Sequence, residues 1–174
     1  MGPDEFHDAY PGATAPGLRN NAYTNLMAVW VLWRTLGMLD RLPAIRRIEL
    51  TSRLGISSEE LERWDAVSRR MFIPFHDGGI ISQFEGYDDL LEFDWVAYRT
   101  RYGNIQRLDL ILENEGDSAN RYKLSKQADV LMLFYLFSSE ELAELFARLG
   151  YPFTPDRIPR NVAYYIDRTS HGST

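Results

Sequence analysis

The sequence predicts a mainly α-helical fold, on three observations. Apolar residues recur at helical spacing over several long stretches. Ser-x-x-Glu signatures, prolines and glycines mark where those stretches begin and end. Strand-like texture is confined to one short segment around an Asp-Gly-Gly triplet.

Taken in order, residues 1–19 read as loop, because Gly2-Pro3, Tyr10-Pro11-Gly12 and Ala15-Pro16-Gly17 punctuate the chain. Asn20 or Asn21 can cap the helix that follows. That helix, Tyr23 to Leu39, carries Leu26, Met27, Val29, Trp30, Val31, Trp33 and Leu36 on more than one face, so burial on most sides is expected. A second helix runs from Pro43 to Leu54 and Gly55 ends it. Ser57 and Glu60 form a capping box for a third, Ser58 to Met71, with Leu61, Trp64, Val67 and Met71 on one face. Residues 72–84 then read as two short strands around Asp77-Gly78-Gly79.

Residues 85–122 read as largely irregular, with short helices near Trp95 to Tyr102 and Leu108 to Leu112. A long irregular stretch inside a compact domain is usually functional. Lys126 to Phe137 reads as a helix apolar on all sides, and so as central. A second capping box, Ser138 with Glu141, opens Glu140 to Leu149, which Gly150 ends. Pro159 opens a last helix, Arg160 to Asp167. Two all-apolar helices in 174 residues have little to surround them, so a missing partner half is expected.

Composition narrows the function. The chain has 19 basic and 25 acidic residues, a net charge of −6, which lacks the basic footprint of a nucleic-acid binder. Without cysteine it can form no disulfide and no thiolate metal site, and this fits a cytoplasmic location. No basic segment leads into an apolar run at the N-terminus, and the apolar run Leu26 to Leu39 is interrupted by Arg34 and too short for a bilayer. Aromatic residues make up 13%, enough for a large core or for stacking faces in a sugar site.

Four clusters carry possible chemistry. In the opening Gly2-Pro3-Asp4-Glu5-Phe6-His7, adjacent acids in an extended loop point in different directions, so one of them at most faces a given reacting atom. A protonated carboxyl beside a leaving oxygen is what glycosidic cleavage needs; the other reading is a solvated turn. His7 reads as a base, a ligand or a surface residue, and no HxH or HxxxH spacing supports a metal. Residues 83–90 alternate acids and rings, which suits a pyranose; the other reading is a polar turn anchored by buried Phe84 and Tyr87. Lys126 and Gln127 stand at the first turn of the apolar helix, where a lysine opposes the helix dipole unless a ligand or solvent rewards it. The terminal Arg168-Thr169-Ser170-His171-Gly172-Ser173-Thr174 combines a guanidinium fork, hydroxyls and a small residue, which suits an oxyanion, yet lacks the nucleotide-loop spacing; the other reading is a polar tail.

Six segments, GPDEFH, NNAYTNLMAVW, QFEGYDDL, RYGNIQRLDL, YKLSKQADVLMLFYLF and RTSHGST, occur in one order that resembles glycoside hydrolase family 65, the maltose, trehalose and kojibiose phosphorylases. The resemblance covers nearly the whole chain. It implies the second half of an (α/α)6 barrel of the six-hairpin glycosidase type, with the short β-hairpin near residues 72–84. It further implies that residues 1–174 are a partial catalytic domain truncated at both ends, with Met1 an internal methionine. By resemblance Glu5 is the general acid, Lys126 and Gln127 hold the glucosyl unit, and Ser170, His171, Gly172 and Ser173, with Arg168 nearby, form a phosphate site.

The implied reaction is inverting phosphorolysis of an α-linked glucose disaccharide, with inorganic phosphate as co-substrate and no cofactor, metal or membrane. The alternatives are an α-glucoside hydrolase on the same scaffold and a non-catalytic sugar-binding fragment. The whole enzyme is expected to be a homodimer, and the isolated chain is expected to be inactive.

Overall fold

A computed structural model describes residues 4–170. Among them, the long helix α1 (Ala22–Arg41) starts where the Asn21 side chain accepts the Thr24 N–H at 2.7 Å, satisfying one of the amides a helix start leaves open. It stops at Leu42, which turns extended because it precedes Pro43. Pro43 then serves as N-cap of α2 (Ala44–Leu54), where its missing N–H costs nothing, and Gly55 ends that helix in the left-handed region at φ 68°.

Helix α3 (Ser58–Ser68) packs on α1. Ser57 accepts the Glu60 N–H at 3.2 Å, one arm of the expected box. The helix ends three residues before the expected Met71. The chain tightens there into an Arg70 N–H to Val67 O turn and leaves regular structure ahead of Pro74.

The hairpin lies where the Asp-Gly-Gly triplet places it. Strands β1 (Phe75–His76) and β2 (Ile80–Ile81) pair antiparallel, Phe75 opposite Ile81 and His76 opposite Ile80. Helices α4 (Trp95–Tyr102) and α5 (Leu108–Asn114) follow, flanked by 3₁₀ turns at Tyr87–Asp89 and Ala119–Arg121. Helix α6 (Val130–Leu136) leads into α7 (Ser139–Arg148), whose capping box of Ser138 and Glu141 closes on both arms. Helix α8 (Arg157–Ile166) begins three residues earlier than expected, so Pro159 sits inside its first turn, where no intrahelical N–H bond is lost.

The main core joins α1, the hairpin, α6, α7 and α8 through Leu26, Val29, Ile81, Phe84, Leu133, Phe146 and Tyr165. A second core gathers Phe6, Phe93, Leu108, Leu112 and Leu124 beneath the opening loop.

Two expectations about burial are corrected. In α1 only Ala22, Leu26, Val29 and Leu39 are buried, and Val31 and Met38 are exposed. In α6 only Val130 and Leu133 are buried, while Met132, Tyr135 and Leu136 are exposed. The other apolar residues of both helices are partly buried or exposed, with Met27, Trp30, Trp33, Leu131 and Phe134 partly buried against the core. No helix among the described residues is long and apolar enough to cross a membrane.

Candidate functional site

Three loops far apart in sequence meet through backbone hydrogen bonds. The Ser125 N–H donates to Arg168 O at 2.9 Å and the Ser170 N–H to Ser125 O at 2.9 Å, a parallel bridge between residues 125 and 169. The Lys126 N–H donates to Asp4 O at 3.2 Å. Each bond fixes backbone that lies outside any helix ladder, so the loops locate one another. The opening loop, the segment before α6 and the end of α8 thereby form one surface.

Asp4 is the template of the opening loop. It is wholly buried, and its Oδ1 accepts the N–H groups of Phe6 at 3.0 Å and His7 at 2.8 Å. Its Oδ2 meets His7 Nδ1 at 2.5 Å and accepts Gln83 Nε2 at 2.8 Å. A buried carboxylate is tolerated when it is this fully paired. His7 Nε2 faces Tyr122 O at 3.0 Å, so both imidazole nitrogens meet acceptor groups. His7, which the sequence left open as base, ligand or surface residue, is therefore a buried structural partner of Asp4.

This cradle holds Glu5 at φ 67°, a left-handed conformation uncommon for a residue other than glycine. The adjacent acids point apart, Asp4 buried and Glu5 exposed, on a tight turn rather than the extended loop that the sequence suggested. Glu5 Oε2 lies 2.5 Å from Lys126 Nζ, and Glu5 Oε1 accepts Gln127 Nε2. The structure thus brings Glu5, Lys126 and Gln127 together, across more than a hundred residues.

It also corrects the local reading. Lys126 and Gln127 do not lie in the first turn of a helix, since α6 begins at Val130. The helix-dipole conflict does not arise, and the lysine is rewarded by Glu5.

Lys126, Gln127, Asp129, Met132, Ile166 and Thr169 line an open depression of about 680 Å³ beside this cluster. Asp129 is the residue that sequence reasoning passed over. Burial, with the charges of Asp4 and Glu5 adding to it, pushes its carboxyl up to about 6. The available signal was an acid placed directly before an apolar run, which reads equally well as an ordinary helix cap.

Arg168 turns its guanidinium to Glu92, with Nε and Nη2 donating at 3.2 and 3.1 Å, and lies 3.9 Å above the Tyr164 ring. Ser170 is buried, and its Oγ has no hydrogen-bond partner among the described residues. The other expected phosphate ligands, His171, Gly172 and Ser173, lie outside the described residues, as do Gly2 and Pro3. Phe84 and Tyr87 are buried in the main core, so the sugar-stacking reading of residues 83–90 gives way to core anchoring for these two rings. No group of three or more metal-ligating side chains is placed to hold a metal ion among the described residues.

The sequence profile of the glycosyl hydrolase family 65 central catalytic domain matches residues 1–174. An "uncharacterized glycosyl hydrolase" of Mycobacterium tuberculosis strain H37Rv is 62% identical over 174 residues, all of this chain and 13% of the relative. The trehalose 6-phosphate phosphorylase of Lactococcus lactis is 39% identical over 176 residues, covering 100% of this chain and 21% of the relative. A solved structure, "Putative kojibiose phosphorylase from human microbiome", superposes with a TM-score of 0.67 at 24% identity, over 99% of this chain and 21% of that one. That likeness gives the fold: the helices and hairpin are part of a six-hairpin, (α/α)6 arrangement. The chain spans about a fifth or less of the length of these relatives. On the match along its full length, the chain belongs to glycosyl hydrolase family 65, within the central catalytic domain of that family.

Proposed function

We propose that the protein carrying this chain cleaves an α-linked glucose disaccharide by inverting phosphorolysis, with Glu5 as general acid. The observation that carries the reading is the placement of Glu5 on a left-handed backbone, templated from beneath by Asp4, with Lys126 and Gln127 on its two oxygens. Protonated, Glu5 donates to the glycosidic oxygen as the bond to the anomeric carbon stretches. A phosphate oxygen attacks that carbon from the opposite face. The products are β-glucose 1-phosphate and the released sugar.

An inverting hydrolase uses a second carboxylate to activate water, whereas phosphate is already a nucleophile and needs cationic and hydroxyl donors. Arg168 and Ser170, with His171, Gly172 and Ser173, are proposed to supply them. In this role Arg168 exchanges Glu92 for phosphate. Lys126 and Gln127 are proposed to bind glucosyl hydroxyls. Inorganic phosphate is the co-substrate and no further cofactor is invoked. Relatives named for trehalose 6-phosphate, kojibiose and maltose phosphorylase activities define the substrates to try.

The hydrolase reading has one observation in its favour, the second carboxyl of Asp129 on the rim of the same depression. One assay separates the two. The full-length protein is offered trehalose, trehalose 6-phosphate, maltose and kojibiose with and without phosphate. β-Glucose 1-phosphate formed only when phosphate is present supports phosphorolysis. Free glucose formed at the same rate without phosphate overturns it and makes Asp129 the first base to mutate. In the same assay Glu5→Gln lowers turnover by roughly 10²-fold or more while sugar binding persists. His171→Ala raises the apparent Michaelis constant for phosphate.

A further inference from the structure

The contacts of Glu5 raise a proton problem. A general acid must hold a proton when the glycosidic bond stretches. Here one oxygen of Glu5 faces an ammonium at 2.5 Å and the other faces an amide nitrogen. Lysine has donors and no lone pair to offer, and an amide NH₂ donates likewise. Both contacts favour the carboxylate over the carboxylic acid. The arrangement is that of the spent acid, not of the acid ready to act.

The same two side chains are the ones proposed for the glucosyl hydroxyls, so this inference rests on that reading. Lys126 and Glu5 side chains are 36% and 35% exposed. A pair this open to solvent is weak, well within what a few sugar hydroxyls can replace. We propose that the glucosyl unit draws Lys126 and Gln127 away from Glu5, so that substrate binding and protonation of the acid are one coupled event.

The charges left around Glu5 point the same way. Asp129 stands on the segment leading into α6, and Asp4 precedes Glu5 in the opening loop, hydrogen-bonded to His7. Withdrawing Lys126 removes the ammonium that favours the carboxylate, and the nearby carboxyls disfavour a negative charge at Glu5. The raised carboxyl of Asp129 comes from its burial first and from the charges of Asp4 and Glu5 next. The coupling has a use: an acid that protonates only under a bound glucosyl unit is not poised to act on an empty site.

The test is calorimetry on the full-length protein. The α-linked disaccharide that the activity panel identifies is titrated in phosphate-free buffers of contrasting ionisation enthalpy near pH 7, and D-glucose is titrated in parallel. Binding is expected to take up a substantial fraction of a proton, at most about one, read as the slope of apparent enthalpy against buffer enthalpy. The slope vanishes in Glu5→Gln while binding persists. It shrinks in Lys126→Met, where the carboxylate has no ammonium to hold it.

A kinetic readout checks the same point. The alkaline limb of kcat/KM, which reports the free enzyme, falls at lower pH than the limb of kcat, which reports the complex. The two limbs converge in Lys126→Met. A zero slope with intact phosphorolysis, or coincident limbs in the wild type, overturns the coupling and leaves the proposed reaction standing. Proton uptake on D-glucose without any phosphorolysis keeps the coupling and overturns the reaction.

Discussion

Asp4 shows what one buried carboxylate does for its neighbour. Two of its bonds go to the backbone amides of Phe6 and His7, the two residues after Glu5, and two go to the side chains of His7 and Gln83. Asp4→Asn puts an NH₂ group where one of these pairs of donors now points. Breaking a buried pair from one side costs about 3–5 kcal/mol. The Phe6 and His7 amides are therefore expected to exchange at least roughly 10²-fold faster in hydrogen-exchange measurements. Unchanged protection would mean that the loop is held by something other than this carboxylate.

Asp129 gives a prediction of opposite sign. Its carboxyl is raised to about 6 in the folded protein, by burial first and by Asp4 and Glu5 next. A raised acid favours folding below its ordinary value near 4, and that contribution is lost as pH rises from about 4 through about 6. Asp129→Asn removes the loss. The variant should match the wild type near pH 4 and exceed it above pH 6 by about 1 kcal/mol, with the partial exposure of the group keeping the effect small. Thermal midpoints across that range decide the point. At this scale the sequence revealed Glu5, Lys126 and Gln127 only through the resemblance, since spacing alone left each with an ordinary explanation. Asp129 stayed hidden because its perturbation arises from loops that meet only in the folded chain.

Among the elements, the hairpin was the most legible and the start of α6 the least. Asp77, Gly78 and Gly79 take φ values of 43°, 66° and 136°, which side-chain-bearing residues seldom adopt in succession, so the triplet marks the turn. What the pattern did not show is how a two-residue pairing survives. Helix α8 secures it: Asn161 Oδ1 accepts the Ile81 N–H at 2.8 Å, Asn161 Nδ2 donates to Gly79 O at 3.2 Å, and the Tyr165 hydroxyl donates to Ile81 O at 2.5 Å. Asn161→Leu leaves a buried amide and carbonyl unpaired, at about 1–3 kcal/mol each. Amide exchange at Ile81 should rise steeply, while a variant on the solvent side of the same helix leaves it unchanged. The start of α6 was misplaced because the apolar run gives period and length but not the point where tertiary bonds stop the helix. Ser125 and Lys126 use their N–H groups on Arg168 and Asp4, so the segment that reads as a first turn is drawn into the site instead.

At the scale of the molecule, helices α1, α3 and α7 converge on Arg148. Its guanidinium donates to Asp65 at 2.6 Å and to Ser68 at 2.7 Å, and lies 5.3 Å from the Trp33 ring centre. The arginine side chain is only 7% exposed, so its donors depend on these partners rather than on water. Such a junction is invisible to periodicity, which treats each helix alone and sees Arg148 only as a favourable charge in a last turn. Arg148→Met keeps most of the apolar stem and removes the bonds, and should lower stability by about 2 kcal/mol. Its pH signature separates lost bonding from lost packing. Asp65 is held down at about 2 by the hydrogen bond from Arg69 first and that from Arg148 second. A depressed carboxyl contributes stability above its ordinary value near 4, and the contribution is lost as pH falls through about 2. With Arg148 gone, Arg69 alone holds Asp65 and less stability remains to lose in that window. The gap between variant and wild type should therefore narrow as pH falls from about 4 to 2, as followed by thermal midpoint. A gap independent of pH would assign the role of Arg148 to its stem against Trp33 and leave its charge without effect on the joining of the three helices.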